Sequence, residues 1–246
     1  MNKNALRGFA VSGLLVMGLT ACGGAGTSTE AASAPASESA TATPTPTPTK
    51  AKDFTLDELN AVLGQMTDKR GTKLSVTSTA DIAGAMAQTK ALMEQIDVQP
   101  AVCKDTAMGS LAQPMEGVKA AVGVSQDAAS GSVATISLGT GLGEAIKTEM
   151  ETSKDKLAAC GTMTMAGPTG SSTITLTDLG DKKPAHAAVA YRMDTAASTG
   201  EKGSMIMAQT VEENVLVSVI GIGGTSEADA IESVTALLDQ AVDLIK

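Results

Sequence analysis

The chain offers few side chains suited to chemistry, and their spacing narrows the choice further. His186 is the only histidine in 246 residues, set between Ala185 and Ala187 where a strand is expected to begin. A Ser-His-Asp hydrolase needs that base to converge with a nucleophile and an orienting acid. No Gly-x-Ser-x-Gly elbow is present to locate the serine, so His186 reads as a solvent-facing or edge-strand residue. There is no His-Glu-x-x-His zinc pattern and no Gly-Lys-Ser/Thr phosphate loop. Gly139-Thr140-Gly141-Leu142-Gly143 joins a strand to a helix, an arrangement that can cradle a phosphate. Its spacing is not Gly-x-Gly-x-x-Gly and no parallel βαβ unit follows, so a tight turn is expected there. Gly221, Gly223 and Gly224 form a second such junction; if both lie at one end of the sheet, their loops rim a cleft. Met163 and Met165 share one strand face, as do Met205 and Met207, because strand side chains repeat every two residues. Such thioether pairs either hold Cu(I) or serve as adaptable core filler. Carboxylates are plentiful, but no spacing singles out a pair. The expectation is a protein that is not an enzyme, with no catalytic residue, no metal site and no cofactor.

The elements that position these residues must form with almost no aromatic help, since Phe, Tyr and Trp make up only 1% of the chain. A core has to come from Val, Ile, Leu, Ala and Met. Of three cysteines, Cys103 and Cys160 lie 57 residues apart. In an extracytoplasmic compartment such a pair most simply forms a disulfide; two free thiols or a metal pair are the alternative. Closing that loop constrains the unfolded chain by ~4 kcal/mol in the loop-entropy picture.

The remaining cysteine, Cys22, decides where the protein works. Lys3 and Arg7 precede an apolar run from Phe9 to Leu19, followed by Thr20-Ala21-Cys22. A basic start, a short apolar stretch and small residues at a cut site are the order of a secretory signal. The run falls short of the ~20 residues that a membrane-spanning helix needs. Leu19-Thr20-Ala21-Cys22 resembles the lipobox of bacterial lipoproteins. That resemblance implies that residues 1–21 are a signal peptide, removed to leave Cys22 as an N-terminus bearing a diacylglyceryl thioether. The alternative is an ordinary secretory signal with a chance cysteine beside the cut. Loss of Lys3 and Arg7 leaves 16 basic against 27 acidic residues, a net charge near −11. An acidic surface argues against a nucleic-acid partner and against polybasic attachment to membranes. The acyl chains then hold the protein to the extracytoplasmic face of the cell membrane by themselves, and two suffice where one is marginal.

Residues 22–52 are mostly Ala, Ser, Thr and Pro, which cannot bury enough apolar surface to offset ordering entropy. A disordered tether is expected, stiffened near polyproline II over Thr43 to Thr49. At ~3.1 Å per extended residue it reaches ~90 Å from the membrane. The Thr-Pro alternation serves either as a spacer alone or as an O-glycosylated stalk.

A single folded domain is expected over residues 53–246. Thr55 and Glu58 form a capping box for a first helix, with Phe54 and Leu59 at the staple positions. Lys73 to Thr77 reads as a short strand, and Ala80 to Ile96 as a helix with Ile82, Met86, Thr89, Met93 and Ile96 along one stripe. A short helical turn follows over Lys104 to Met108. Val118 to Val124 and Val133 to Leu138 read as a hairpin, and Leu142 to Ala158 as an amphipathic helix. Five strands follow: Thr162–Ala166, Ser172–Leu179, Ala187–Met193, Ser204–Thr210 and Val215–Ile220. A last helix spans Glu227 to Ile245. Hairpins and a meander with interspersed helices predict an α+β domain, an antiparallel sheet with amphipathic helices packed on one face.

That element order, with Pro100-Ala101-Val102-Cys103 before a short helix and Cys160-Gly161 closing a longer one, resembles the extracellular sensor domain of the PknH-type actinobacterial receptor kinases. The chain lacks two features those domains typically carry, a Trp shortly before the second Cys and a second disulfide in the meander. The resemblance implies an α+β cup with a cleft, on a sensor-like module that binds a ligand or protein in the cell envelope. Two other functions fit the composition: a lipid or glycolipid carrier with an apolar cavity, and a copper binder using the four methionines above.

Overall fold

The first helix, α1 (Leu56–Gln65), starts where its capping box directs it. The Thr55 hydroxyl accepts from the Glu58 amide at 3.3 Å, and the Glu58 carboxylate accepts from the Thr55 amide at 2.8 Å. Two of the four donors left over at a helix start are thereby satisfied. Leu59, Val62 and Leu63 form its buried face. In this computed structural model the described residues are 52–77, 88–108, 117–168 and 170–246, without the side chains of 143–145 and 147. All lie within one compact unit, Pro48–Lys246. The signal segment, Cys22, the tether up to residue 51 and the first part of the expected 80–96 helix lie outside the described residues.

The strands among the described residues build one sheet. Its strands are β1 (Ser75–Thr77), β2 (Asp97–Gln99), β3 (Lys119–Asp127), β4 (Ser132–Thr140), β5 (Thr162–Gly167), β6 (Gly170–Asp178), β7 (Val189–Ala197), β8 (Lys202–Glu212) and β9 (Val215–Ile222). The order across the sheet is β1-β3-β4-β9-β8-β7-β6-β5-β2, antiparallel at every pairing. Strands β5 to β9 are the expected meander, and the β3–β4 hairpin adds to it at β9. No local pattern marks β2, because three residues including Asp and Gln are too few to show an alternation. Residues 88–94 are helical. Three further helices are α2 (Lys104–Met108), α3 (Gly143–Ala159) and α4 (Glu227–Ile245).

Register assigns every strand residue to a face, since successive side chains alternate. Ile136 pairs with Val219, Val219 with Ala208, and Ala208 with Ala190, so these four share the first face. All are buried, together with Leu138, Val217 and Ile206, beneath Leu59 and Leu63 of α1 and Val234, Leu237 and Leu238 of α4. Close approach of α4 depends on Gly221: a methyl group there would stand 2.8 Å from Val234 Cγ2.

The second face is different. Toward β2 it carries a smaller cluster in which Val98, Cys103, Cys160 and Met163 are buried against Met165, Ile174 and Leu176. Ile174 and Leu176 pair with Thr195 and Met193, the opposite parity from Ala190. Cys103 and Cys160 form a disulfide here, with Cα atoms 5.6 Å apart. It ties the turn after Pro100 to the end of α3. The α+β class with an antiparallel sheet stands. Its helices, however, divide between two faces instead of sharing one. The first face over β3, β4, β9 and β8 is already filled by α1 and α4. The end of α3 at Cys160 therefore docks where Met163, Ile174 and Leu176 offer apolar surface on the reverse side.

Candidate functional site

The sequence singled out two glycine-rich junctions, and the sheet separates them. Gly139 pairs with Leu216 at the start of β9, whereas Ile222 at its end pairs with Val133 at the start of β4. Since β4 and β9 are antiparallel neighbours, the Gly139–Gly143 and Gly221–Gly224 junctions lie at opposite ends of the sheet. They do not rim one cleft.

The Gly221–Gly224 junction does border a groove of about 350 Å³, lined by Arg192, Ser204, Ile206, Gly223, Ser226 and Glu227 among others. The start of α4 closes it to anions. Ser226 caps the helix by accepting from the Asp229 amide at 3.1 Å, and Glu227 and Asp229 fill the first turn. Arg192 donates to Glu227 at 2.5 Å and to Asp194 at 2.9 Å. Lys182 reaches Glu227 at 3.2 Å. The hydrogen bond from Arg192, then that from Lys182, hold the Glu227 carboxyl below its ordinary value, and the same Glu227 bond raises the Arg192 guanidinium. These charges satisfy one another.

A second cluster ties the turn between Thr67 and Lys73 to the rest of the first face. Lys69 pairs with Asp229, and Arg70 with Asp127. Burial raises the Asp68 carboxyl, but the Thr72 and Arg70 amides, the Ser125 hydroxyl and the Arg70 charge outweigh it and set the group low. The small cavity among these residues, about 20 Å³, has room for roughly one water molecule. This corner is a clamp between elements.

His186 sits exposed in the turn before β7. The two methionine pairs stay apart: β5 and β8 are separated by β6 and β7, and three strand spacings amount to ~14 Å. Met163 and Met165 belong to the disulfide cluster. Met205 and Met207 instead join Met193, which lies directly opposite Met205. The two pairs therefore cannot share one ion.

What remains is the second face over β3, β4, β9, β8 and β7. Across its middle lie Val122, Val124, Ile220, Met205, Met207, Tyr191 and Met193, with Thr135, Ser137, Ser218 and Gln209 between them; toward its ends Val189 and Leu216 are buried and Ile222 is exposed. The eleven across the middle are half-buried, and none carries a charge. The solvent side of an antiparallel sheet ordinarily alternates to polar residues, so an uncharged, largely apolar and half-open face is out of keeping with a merely solvated one. Four strand spacings make it ~19 Å wide. At one side α3 lies against β6 and β7. Among the described residues, Gln209 Nε2 donates to Ser218 Oγ at 3.2 Å and Tyr191 Oη donates to Met207 Sδ at 2.8 Å across the face. Burial pushes the Tyr191 phenol up to about 12. The arrangement offers apolar contact and neutral hydrogen bonds; it pairs no nucleophile with a base. Sequence reasoning missed this face. The signal was there in Tyr191-x-Met193 and Met205-x-Met207, two short alternations whose alignment only the register reveals.

No protein-family model and no curated protein sequence matches the chain. Among solved structures, the extracellular domain of PknH from Mycobacterium tuberculosis is similar at 13% identity and a TM-score of 0.43, over 79% of this chain and 98% of that one. A putative uncharacterised protein, the Rv0999 ortholog from Mycobacterium smegmatis, is similar at 13% identity and a TM-score of 0.41, over 62% of this chain and 78% of that one. CalU16 from Micromonospora echinospora gives 11% identity and a TM-score of 0.24, over 52% and 83% respectively. The PknH domain is of the type that the element order resembles; at these scores the likenesses say nothing about a ligand.

Proposed function

We propose that the chain is a cell-envelope lipoprotein whose α+β domain is a non-enzymatic, sensor-like binding module, taking an apolar ligand against the second face of its sheet. The observation that carries this is the row of eleven half-buried, uncharged residues across five strands. The anchor is a diacylglyceryl group on Cys22, supported by Leu19-Thr20-Ala21-Cys22 behind a basic and apolar leader. Residues 22–52 act as the tether that lets the domain search the envelope for its ligand or partner. The sensor-like role rests on the element order and that tether.

A second reading, a lipid or glycolipid carrier, draws on the same face. Its ~19 Å width compares with the ~15 Å that one leaflet of acyl chains fills in a bilayer core of ~30 Å. The two readings differ in whether the ligand is carried away or only sensed. Native mass spectrometry of the protein purified from its own envelope tests both. A copurifying lipid-sized mass that releases to acceptor vesicles establishes a carrier, and one that stays bound establishes the binding module. An apo mass, with no lipid recovered at any stage, overturns the apolar-ligand reading and directs the search to protein or cell-wall partners.

A further inference from the structure

On the second face the Tyr191 hydroxyl has a partner poorly matched to it. Tyr191 is the only tyrosine in the chain, and its hydroxyl donates to the Met207 thioether, a weak acceptor. Buried phenols ordinarily find an oxygen or nitrogen partner. The other bonded pair on the face, Gln209 with Ser218, already joins an amide to a hydroxyl.

We infer that Tyr191 is the polar anchor of this face, donating its hydroxyl to the ester carbonyl of a neutral, linear acyl ligand laid across the strands in place of Met207 Sδ. This rests on the proposed binding of an apolar ligand there. A carbonyl oxygen is the stronger acceptor, and the thioether freed by the exchange loses little, because sulfur packs well against hydrocarbon. Burial keeps the phenol protonated, so it remains a donor throughout the physiological range. The strands of this face favour an uncharged head. No cation on the five strands faces it, and Asp178 stands opposite Tyr191 on β6, where it repels a carboxylate or phosphate. An unpartnered ionic head would also carry the cost of desolvation. A glyceride-type ester meets these conditions; a free fatty acid does not.

The test uses the mature chain from Gly23 to Lys246, made without its acyl group. It is titrated with 1-monomyristoylglycerol and with the ether analogue 1-O-tetradecylglycerol, which has the same chain and no carbonyl. The wild-type chain is expected to prefer the ester by roughly three- to tenfold, the range of one net hydrogen bond. Tyr191→Phe should abolish that preference and leave ether affinity unchanged. Equal affinity for ester and ether in the wild type, or a preference that survives in Tyr191→Phe, overturns the anchor while leaving apolar binding standing. Binding of neither compound removes the apolar-ligand reading and the anchor with it. Met207→Leu provides a variant that does not depend on Tyr191→Phe folding. Without the competing thioether, ester affinity should rise and ether affinity hold; an unchanged ester affinity counts against the exchange.

Discussion

Gly221 and Val234 fix how close the last helix comes to the sheet: a Cβ on Gly221 would lie 2.8 Å from Val234 Cγ2 and 3.4 Å from the Ala230 carbonyl. A side chain there requires Val234 or the helix to shift. Gly221→Ala should therefore destabilise the domain by about 1–3 kcal/mol, the usual range for overpacking a core. Adding Val234→Ala should recover part of the loss, because the clash is with that side chain. Thermal melts of the single and double variants measure both effects, and additive losses would show that the contact is not the cause.

The Cys103–Cys160 disulfide closes a long loop that includes the β3–β4 hairpin and α3. Replacing both cysteines with serine should lower stability by about 2–5 kcal/mol. Reductant should bring the wild-type melting temperature down to that of the variant. A melting temperature indifferent to reductant would show that the bridge contributes no stability in solution.

Acid should weaken the start of α1. The amide of Thr55, then the side chains of Lys52 and Thr55, hold Glu58 down at about 2 against an ordinary 4.5. The folded domain thus binds fewer protons than the unfolded chain between these values, and stability falls with pH in that window. The contribution is whole above about pH 4.5 and gone once the pH drops through about 2. Glu58→Gln keeps a capping-box acceptor without the titration, so its acid-unfolding curve should be flatter across that window. Superimposable curves for the two proteins would contradict the assignment.

The lipid anchor has a separate readout. Cys22→Ala should leave the chain without acyl mass and move it out of the washed membrane fraction. Continued retention there would mean that something other than lipidation holds the protein.

Much of the fold was legible because its cues are local. The capping box of α1, the period-two strands of the meander and the amphipathic stripe of α4 each sit in one short window, and each was found within a few residues of its place. The two faces were not legible. That β4 pairs with β9, across an intervening helix and four strands, is a long-range fact, and it placed the glycine junctions at opposite ends. The register of β7 against β8 sets Met193 beside Met205, and the order of the meander leaves Met163 and Met165 three strands away. The candidate site was hidden for the same reason: its residues come from five strands in single letters and pairs. The tyrosine was conspicuous only by its rarity.

The two borders of the sheet have a consequence for how the domain comes together and comes apart. Each is closed by a strand of three residues, β1 against β3 and β2 against β5, and each closing strand precedes its partner in the chain. During synthesis both must wait unpaired until β3 and β5 have been made. With so few ladder bonds apiece they should be the first to exchange their amide hydrogens with solvent, so that the sheet loosens from its margins while the meander between them holds.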